Sequence, residues 1–232
     1  MTPTTASGPI VRLEELFPSP LWIGDLDALA PHNGAMLAYL EALRQSDAGL
    51  RRANVLGWHS PDDLHRLAVF APLRDVILSI LDSRVASALK LDLVRHRLCL
   101  SSMWGMWYPK FGHAFLHRHP HSLFSGVYYL TCEGGSGTLR FHDPRADVRM
   151  LRPPVLEEVS YTLHIKEYVP KAGRLLLFPS WLPHDVTPNL SDEPRVAISF
   201  NVVAERRVDA EGAASGREEA HGHDHDQGHD HV

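Results

Sequence analysis

The chain has 232 residues, of which 44% are apolar and 22% charged, an ordinary balance for a globular protein. A fold of this length buries about 70% of its unfolded surface, so it needs no disulfide or metal staple, and the composition excludes a disordered chain, a collagen-like fibre and a mini-protein. The formal net charge is −5, and from Glu205 onward eight acids against three arginines carry all of it. The remaining body is neutral and has no basic stripe, so nucleic acid is excluded as a partner on electrostatic grounds. Apolar runs such as Leu175 to Phe178 fall far short of the ~18 residues of a membrane span. Met1 to Pro9 lacks the basic-then-apolar order of a secretory signal, so a cytoplasmic protein without a membrane partner is expected. Cys99 and Cys132 are too few for a disulfide framework, and both sit in strand-like runs as small buried hydrophobes.

Residues 1–15, rich in Thr, Pro and Gly near the start, read as a flexible N-terminus. Leu16 to Trp22 is extended and punctuated by prolines. A helix is expected from about Gly34 to Gln45, with Met36, Leu37, Leu40 and Leu43 as its apolar stripe. Ser60-Pro61-Asp62-Asp63 reads as a helix start, with a capping hydroxyl, a first-turn proline and acids facing the dipole. Helical periodicity then continues, broken near Pro72, to about Lys90. After Asp92 the period becomes strand-like. Strands are expected at Leu93 to Tyr108, Phe124 to Cys132, Thr138 to Phe141, Glu158 to Val169, Arg174 to Phe178 and Arg195 to Ala204. Turn signals separate them, among them Pro109 to Gly112, Glu133 to Gly137 and Pro170 to Gly173. The expected fold is mainly β with N-terminal helices. Its division is a single domain over 16–204, with helical support at 31–91 and a β-barrel at 92–204, followed by a disordered His/Asp-rich tail at 205–232.

Sixteen histidines are the abnormal number. Five fall between His221 and His231, where alternating His and Asp give a solvated tail with incidental metal affinity. Four crowd between His113 and His121. His117 and His119 stand just before an apolar strand, and residues two apart in extended chain point to the same side. A third, His184, follows a second strand and the turn Pro179 to Pro183. Two ligands from one strand edge and one from a distant strand form a facial metal site with open positions. His121 repeats the spacing, so His119 with His121 is an alternative first pair. His113 reads as a loop or rim residue. His32, His59, His65, His96, His142 and His164 read as structural or exposed.

Arg195 opens the last strand, eleven residues beyond His184, and shares one face with Ala197, Ser199 and Asn201. A guanidinium inside a barrel is costly unless paired, and no acid alternates with it on that strand. An anionic ligand held by a bidentate fork is its natural partner. Tyr128 and Tyr129 are adjacent in a strand, so one of them faces inward with its hydroxyl.

Together, His117-Arg118-His119-Pro120, Ser125-Gly126-Val127-Tyr128-Tyr129-Leu130, Leu139-Arg140-Phe141-His142-Asp143-Pro144, the run from Leu176 to Asn189, and Arg195-x-x-x-Ser199-Phe200-Asn201 resemble the 2-oxoglutarate- and Fe(II)-dependent oxygenase family, and Leu16 to Trp22 resembles its opening. The resemblance spans about Leu16 to Ala204. It implies a double-stranded β-helix, a jelly-roll or cupin-like barrel. It further implies Fe(II) on His117, His119 and His184, and 2-oxoglutarate with its far carboxylate on Arg195, helped by Ser199 and by Tyr128 or Tyr129. O2 is the co-reactant. The implied activity is hydroxylation of an unactivated C–H bond in a small molecule, amino acid or peptide, with a homodimer as the candidate assembly. Two departures stand out. The second ligand is His119 where such oxygenases usually carry Asp or Glu, and Met106 stands where relatives usually carry Asn, which reshapes the substrate pocket alongside Asn201. The alternatives are a cupin-type metal-dependent dioxygenase and a non-catalytic metal- or ligand-binding barrel. Against the cupin stands the absence of a Glu three or four residues after His119, where Ser122 and Leu123 lie.

Overall fold

The computed structural model describes residues 11–145, 147, 150 and 153–207. The His/Asp-rich tail and the first ten residues lie outside the described residues, while residues 11–15 are exposed coil. A short strand β1 (Trp22–Asp25) leads into helix α1 (Ala30–Ser46), then the two-residue strands β2 (Asn54–Val55) and β3 (Trp58–His59). Helix α2 (Ala71–Ile80) continues through a π-turn at Leu81–Val85 into α3 (Ala86–Leu89). The barrel follows: β4 (His96–Tyr108), β5 (His113–His117), β6 (Phe124–Thr131), β7 (Leu139–His142), β8 (Ile165–Tyr168), β9 (Arg174–Pro179), β10 (His184–Val186) and β11 (Arg195–Arg206). No described helix is long and apolar enough to cross a membrane.

The eleven strands divide between two antiparallel sheets, six-stranded β1-β9-β6-β11-β4-β3 and five-stranded β2-β5-β10-β7-β8. The chain alternates between them, which is the winding of a jelly roll. Period-two alternation sorts the side chains of the larger sheet. Tyr128, Leu130, Val196, Ile198 and Phe200 turn outward to Met36, Leu40, Leu73, Ile77 and Leu81 of the helical layer. Val127, Tyr129, Leu176, Phe178 and Ala197 turn inward with Leu139 and Phe141 of the smaller sheet. β6 is buried on both faces along most of its length, so it reads as a continuous apolar run rather than as an alternation. Gly105 on β4 lets α1 approach, since a Cβ there would collide with Leu40.

Several boundaries differ from the sequence expectations for identifiable reasons. α1 begins at Ala30 rather than near Gly34, because Pro31 belongs to its first turn. Pro72 likewise lies in the opening turn of α2 and breaks nothing. Ser60 caps no helix. Its N–H donates to the Gly105 carbonyl and its Oγ accepts from the Gly105 N–H at 2.9 Å, so pairing with β4 continues past β3 and overrides the local capping pattern. The helical stretch ends where expected, with Lys90 left-handed at φ 55°. The strand expected over Glu158 to Val169 shrinks to β8, since Thr162 and Leu163 donate their N–H groups back to the Val159 carbonyl and form a turn. β11 runs two residues past Ala204 and into the expected tail, where Glu205 pairs with Arg97 at 2.7 Å. β5 and β10 were not foreseen as strands, and His113, read as a turn residue, opens β5.

Candidate metal centre

The site is built where β5 and β10 run side by side. His117, the last residue of β5, lies directly opposite His184, the first of β10. Their rings stand 4.3 Å apart between centroids. His119 follows two residues past the strand, and its backbone N–H donates to the Ser180 carbonyl at 3.0 Å. That bond brings its ring to 5.1 Å from each of the other two. One ligand nitrogen from each of His117, His119 and His184 lies within 4.8 Å of the others, the only such group of three among the described residues. His121 sits at φ 64°, exposed, outside this cluster.

All three rings present the same nitrogen. His117 Nδ1 donates to the Phe115 carbonyl at 2.6 Å, His119 Nδ1 to Asn201 Oδ1 at 2.6 Å, and His184 Nδ1 to the Leu182 carbonyl at 2.8 Å. With the proton held on Nδ1, Nε2 is left as a bare lone pair, the form in which imidazole ligates a metal. Burial disfavours protonation. It holds His119 at about 4 and His184 at about 3, and lowers His117 as well. Three neutral donors that leave coordination positions open fit a divalent transition metal, although imidazole alone does not select which.

A cavity opens over these rings. Along β4, Trp104, Met106 and Tyr108 line it, paired respectively with Ser199, Ala197 and Arg195 of β11. Arg195 sits at the end away from Trp104 and is only 2% exposed. Its Nη1 donates to the Ser136 carbonyl at 2.6 Å, its guanidinium carbon lies 4.9 Å from the centre of the Tyr108 ring, and its Nη2 is buried with no partner. Burial lowers the Arg195 pKa, as expected of a cation without a carboxylate. Tyr129, also lining the cavity, is pushed up to about 12 by burial and so keeps its proton. An unpaired guanidinium nitrogen facing protonated hydroxyls and apolar walls is a receptor for an anion.

The structure sorts the other expected residues. Ser199 lines the cavity, where its Oγ donates to the Met106 Sδ at 3.5 Å. Tyr128 does not reach the cavity. Alternation turns it to the helical side, where its hydroxyl donates to Asn33 Oδ1 at 2.9 Å, so Tyr129 is the inward tyrosine. Asn201 is not a wall of the cavity either; it is engaged with His119. Sequence reasoning missed Trp104, Tyr108 and His59. His59, read as structural or exposed, is buried at the cavity edge with Nε2 3.0 Å from the Tyr108 hydroxyl, and burial holds it at about 4. Its place follows from the pairing of β3 with β4, which no local pattern announces. His142 and Arg140 were not assigned a shared role. On the outer side of β10 they both grip Asp185, Arg140 with two bonds of 2.7 and 2.9 Å and His142 with one of 2.9 Å. Burial works to raise the Asp185 pKa, but these bonds outweigh it and hold the carboxyl below its usual range. The residue after His184 is thereby pinned.

Residues 102–201 match the family model described as a 2OG-Fe(II) oxygenase. This stretch contains the three histidines, Arg195 and most of both sheets. The match covers the barrel, whose fold is a double-stranded β-helix. Solved structures agree on the fold. HygX from Streptomyces hygroscopicus, crystallised with nickel, 2-oxoglutarate and hygromycin B, is 15% identical over 79% of this chain and 82% of its own, with a TM-score of 0.53. A Pseudomonas putida prolyl-4-hydroxylase is 17% identical over 82% and 93%, with a TM-score of 0.54. The epimerase SnoN from nogalamycin biosynthesis is 14% identical over 82% of each chain, with a TM-score of 0.56. No curated protein matches by sequence. One end of the cavity carries the histidine cluster, and β11, an interior strand of the larger sheet, brings Arg195 to the same cavity.

Proposed function

We propose that the protein is an Fe(II)- and 2-oxoglutarate-dependent oxygenase in which His117, His119 and His184 hold the metal and Arg195 holds the far carboxylate of 2-oxoglutarate. The single observation that carries this reading is the pairing of two incomplete groups in one cavity: three bare Nε2 atoms at one end and the partnerless Arg195 Nη2 at the other. A dicarboxylate with a keto-acid end satisfies both. When bound, the iron supplies the oxidising chemistry that couples O2 and 2-oxoglutarate to attack on an unactivated C–H bond.

The chain's own residues bind and orient. Arg195 forms the salt bridge, and the Ser136 carbonyl holds the other arm of the guanidinium so that Nη2 stays aimed. Ser199 and Tyr129 are the hydroxyls available to the same carboxylate. Val127, Leu139, Phe178 and Ala197 make the walls dry, which strengthens the charge pairing by lowering the local dielectric. Substrate enters beside Trp104 and His59, and we infer a small molecule or the side chain of a peptide. Among the described residues no carboxylate belongs to the histidine cluster, so the Glu that the cupin's first motif calls for has no counterpart there.

The test is succinate release from 2-oxoglutarate by the Fe(II)-loaded protein under air. Turnover that requires Fe(II), and that in Arg195→Met needs roughly ten- to a hundredfold more 2-oxoglutarate, is expected. Absence of any 2-oxoglutarate binding to the metal-loaded protein would sink the reading.

A further inference from the structure

We propose that Asn201 is the positioning residue that sets the tautomer of His119, through a closed hydrogen-bond circuit with Ser125 and Ser180; the inference rests on the metal-site reading above. Of the three clustered rings, His117 and His184 each donate Nδ1–H to the main-chain carbonyl two residues earlier. Their tautomer is written into the backbone, and no side-chain change removes it. His119 alone relies on a side chain brought by a different strand.

The circuit closes on itself. The His119 N–H donates to the Ser180 carbonyl at 3.0 Å. Ser180 Oγ lies 2.7 Å from Ser125 Oγ, and Ser125 Oγ donates to Asn201 Oδ1 at 2.7 Å. Asn201 Oδ1 also receives His119 Nδ1–H at 2.6 Å. Both serines are completely buried. Ser125 and Asn201 face each other in the register of β6 and β11, and β11 shifts register beside Asn201 where it pairs with β4. Such an irregularity re-aims a side chain.

With the amide oxygen turned toward His119 and Ser125, donor counting places the remaining protons. A carbonyl oxygen only accepts, and Asn201 Oδ1 spends both of its lone pairs, one on Ser125 and one on His119. Since Ser125 spends its proton on Asn201, Ser180 must donate to Ser125. His119 must then carry its proton on Nδ1, which bares Nε2 toward His117 and His184. Were the amide turned over, its NH2 would meet His119, Nδ1 would have to accept, and the proton would move to Nε2, into the space between the three rings. That arrangement would also reverse the serine pair, with Ser125 accepting from the amide and donating to Ser180, so the protonation of His119 reports which of the two circuits the protein holds.

The test uses the full-length apo protein with 15N-labelled histidine and long-range 1H–15N spectra, followed by calorimetric titration of Ni(II). Wild type should show His119 protonated on Nδ1. Asn201→Ala should lose that preference and weaken Ni(II) binding roughly ten- to a hundredfold. Asn201→Asp keeps an acceptor and should restore both the tautomer and the affinity, a rescue that mere packing does not predict. Ser125→Ala should keep the Nδ1 proton in place while permitting a minor Nε2–H population. If Asn201→Ala does not fold, the Asp and Ser125→Ala spectra decide. An Nε2–H His119 in Asn201→Asp, or an Asn201→Ala protein with wild-type spectrum and Ni(II) affinity, overturns the proposal. A wild type that binds no Ni(II) refutes the metal-site reading instead, and the apo spectra still report on Asn201.

Discussion

Replacing Arg195 by Met is expected to change binding and stability in opposite directions. The side chain is 2% exposed, with one arm on the Ser136 carbonyl and the other without a partner. In the apo protein its charge is taken out of water and met only by one carbonyl and the face of Tyr108. Removing a buried charge in favour of an apolar side chain of similar volume is typically neutral or stabilising by about 1–4 kcal/mol. Stranding the Ser136 carbonyl offsets roughly 1 kcal/mol of that gain. The apo variant should therefore unfold at the wild-type temperature or slightly above it. With 2-oxoglutarate the sign reverses. A hydrogen bond to a charged group contributes about 1.5–3 kcal/mol net, so its loss weakens binding roughly ten- to a hundredfold. Arg195→Lys keeps the charge but not the fork, and should fall between wild type and Met. The assays are anaerobic calorimetric titration of 2-oxoglutarate into Mn(II)-loaded protein and thermal melts with and without the cosubstrate. Equal affinity in Arg195→Met and wild type, or a destabilised apo variant that binds normally, would refute the assignment of the anion subsite.

Substituting His117, His119 or His184 by Ala should remove tight Fe(II) binding measured by elemental analysis, whereas His121→Ala should retain one equivalent; the reverse pattern would shift the site by two residues. Gly137 has φ +83°, and a Cβ there would meet the Thr187 carbonyl oxygen and lie 2.9 Å from Arg195 Nη1. Gly137→Ala should cost at least about 1–3 kcal/mol in urea unfolding and should weaken 2-oxoglutarate binding, while a loss confined to a few tenths would contradict the packing argument. Burial holds His59 and His119 at about 4 and His184 at about 3, below the ordinary 6.5. The unfolded chain binds protons that these rings refuse, so their contribution to stability is complete above 6.5 and is lost as pH falls toward 4. Melting temperatures of the metal-free protein from pH 7 to 4 check this, and a flat profile would count against it.

The sequence announced the parts of the site that lie on long alternating strands. Twelve-residue β11 shows its inward set, Arg195, Ala197 and Ser199, by period two alone, and all three line the cavity. The histidine pair was visible because both members fall in one extended segment. Short elements were invisible, since three-residue β10 and two-residue β3 contain too few positions for a period to appear. His59 therefore looked structural. The choice between Tyr128 and Tyr129 was a question of parity that only the register against β9 and β11 settles. Ser60-Pro61-Asp62-Asp63 is the opposite failure, in which a strong local signal lost to pairing with β4. The tie between Asn201 and His119 joins residues 82 apart and left no local trace.

The register that sets His117 against His184 also has a consequence for the order of events during synthesis. These residues are 67 positions apart in the chain, and Arg195 comes later still. A nascent chain that has emerged only as far as β9 holds two of the three proposed ligand histidines, so it cannot seize a metal with the mature set. Closing so long a loop is slow and is compensated only when β5 and β10 have paired. On the proposed ligand set, metal capture is a late step, reached after both sheets exist. From then on, every ligand bound to the completed barrel holds the two sheets together by mass action.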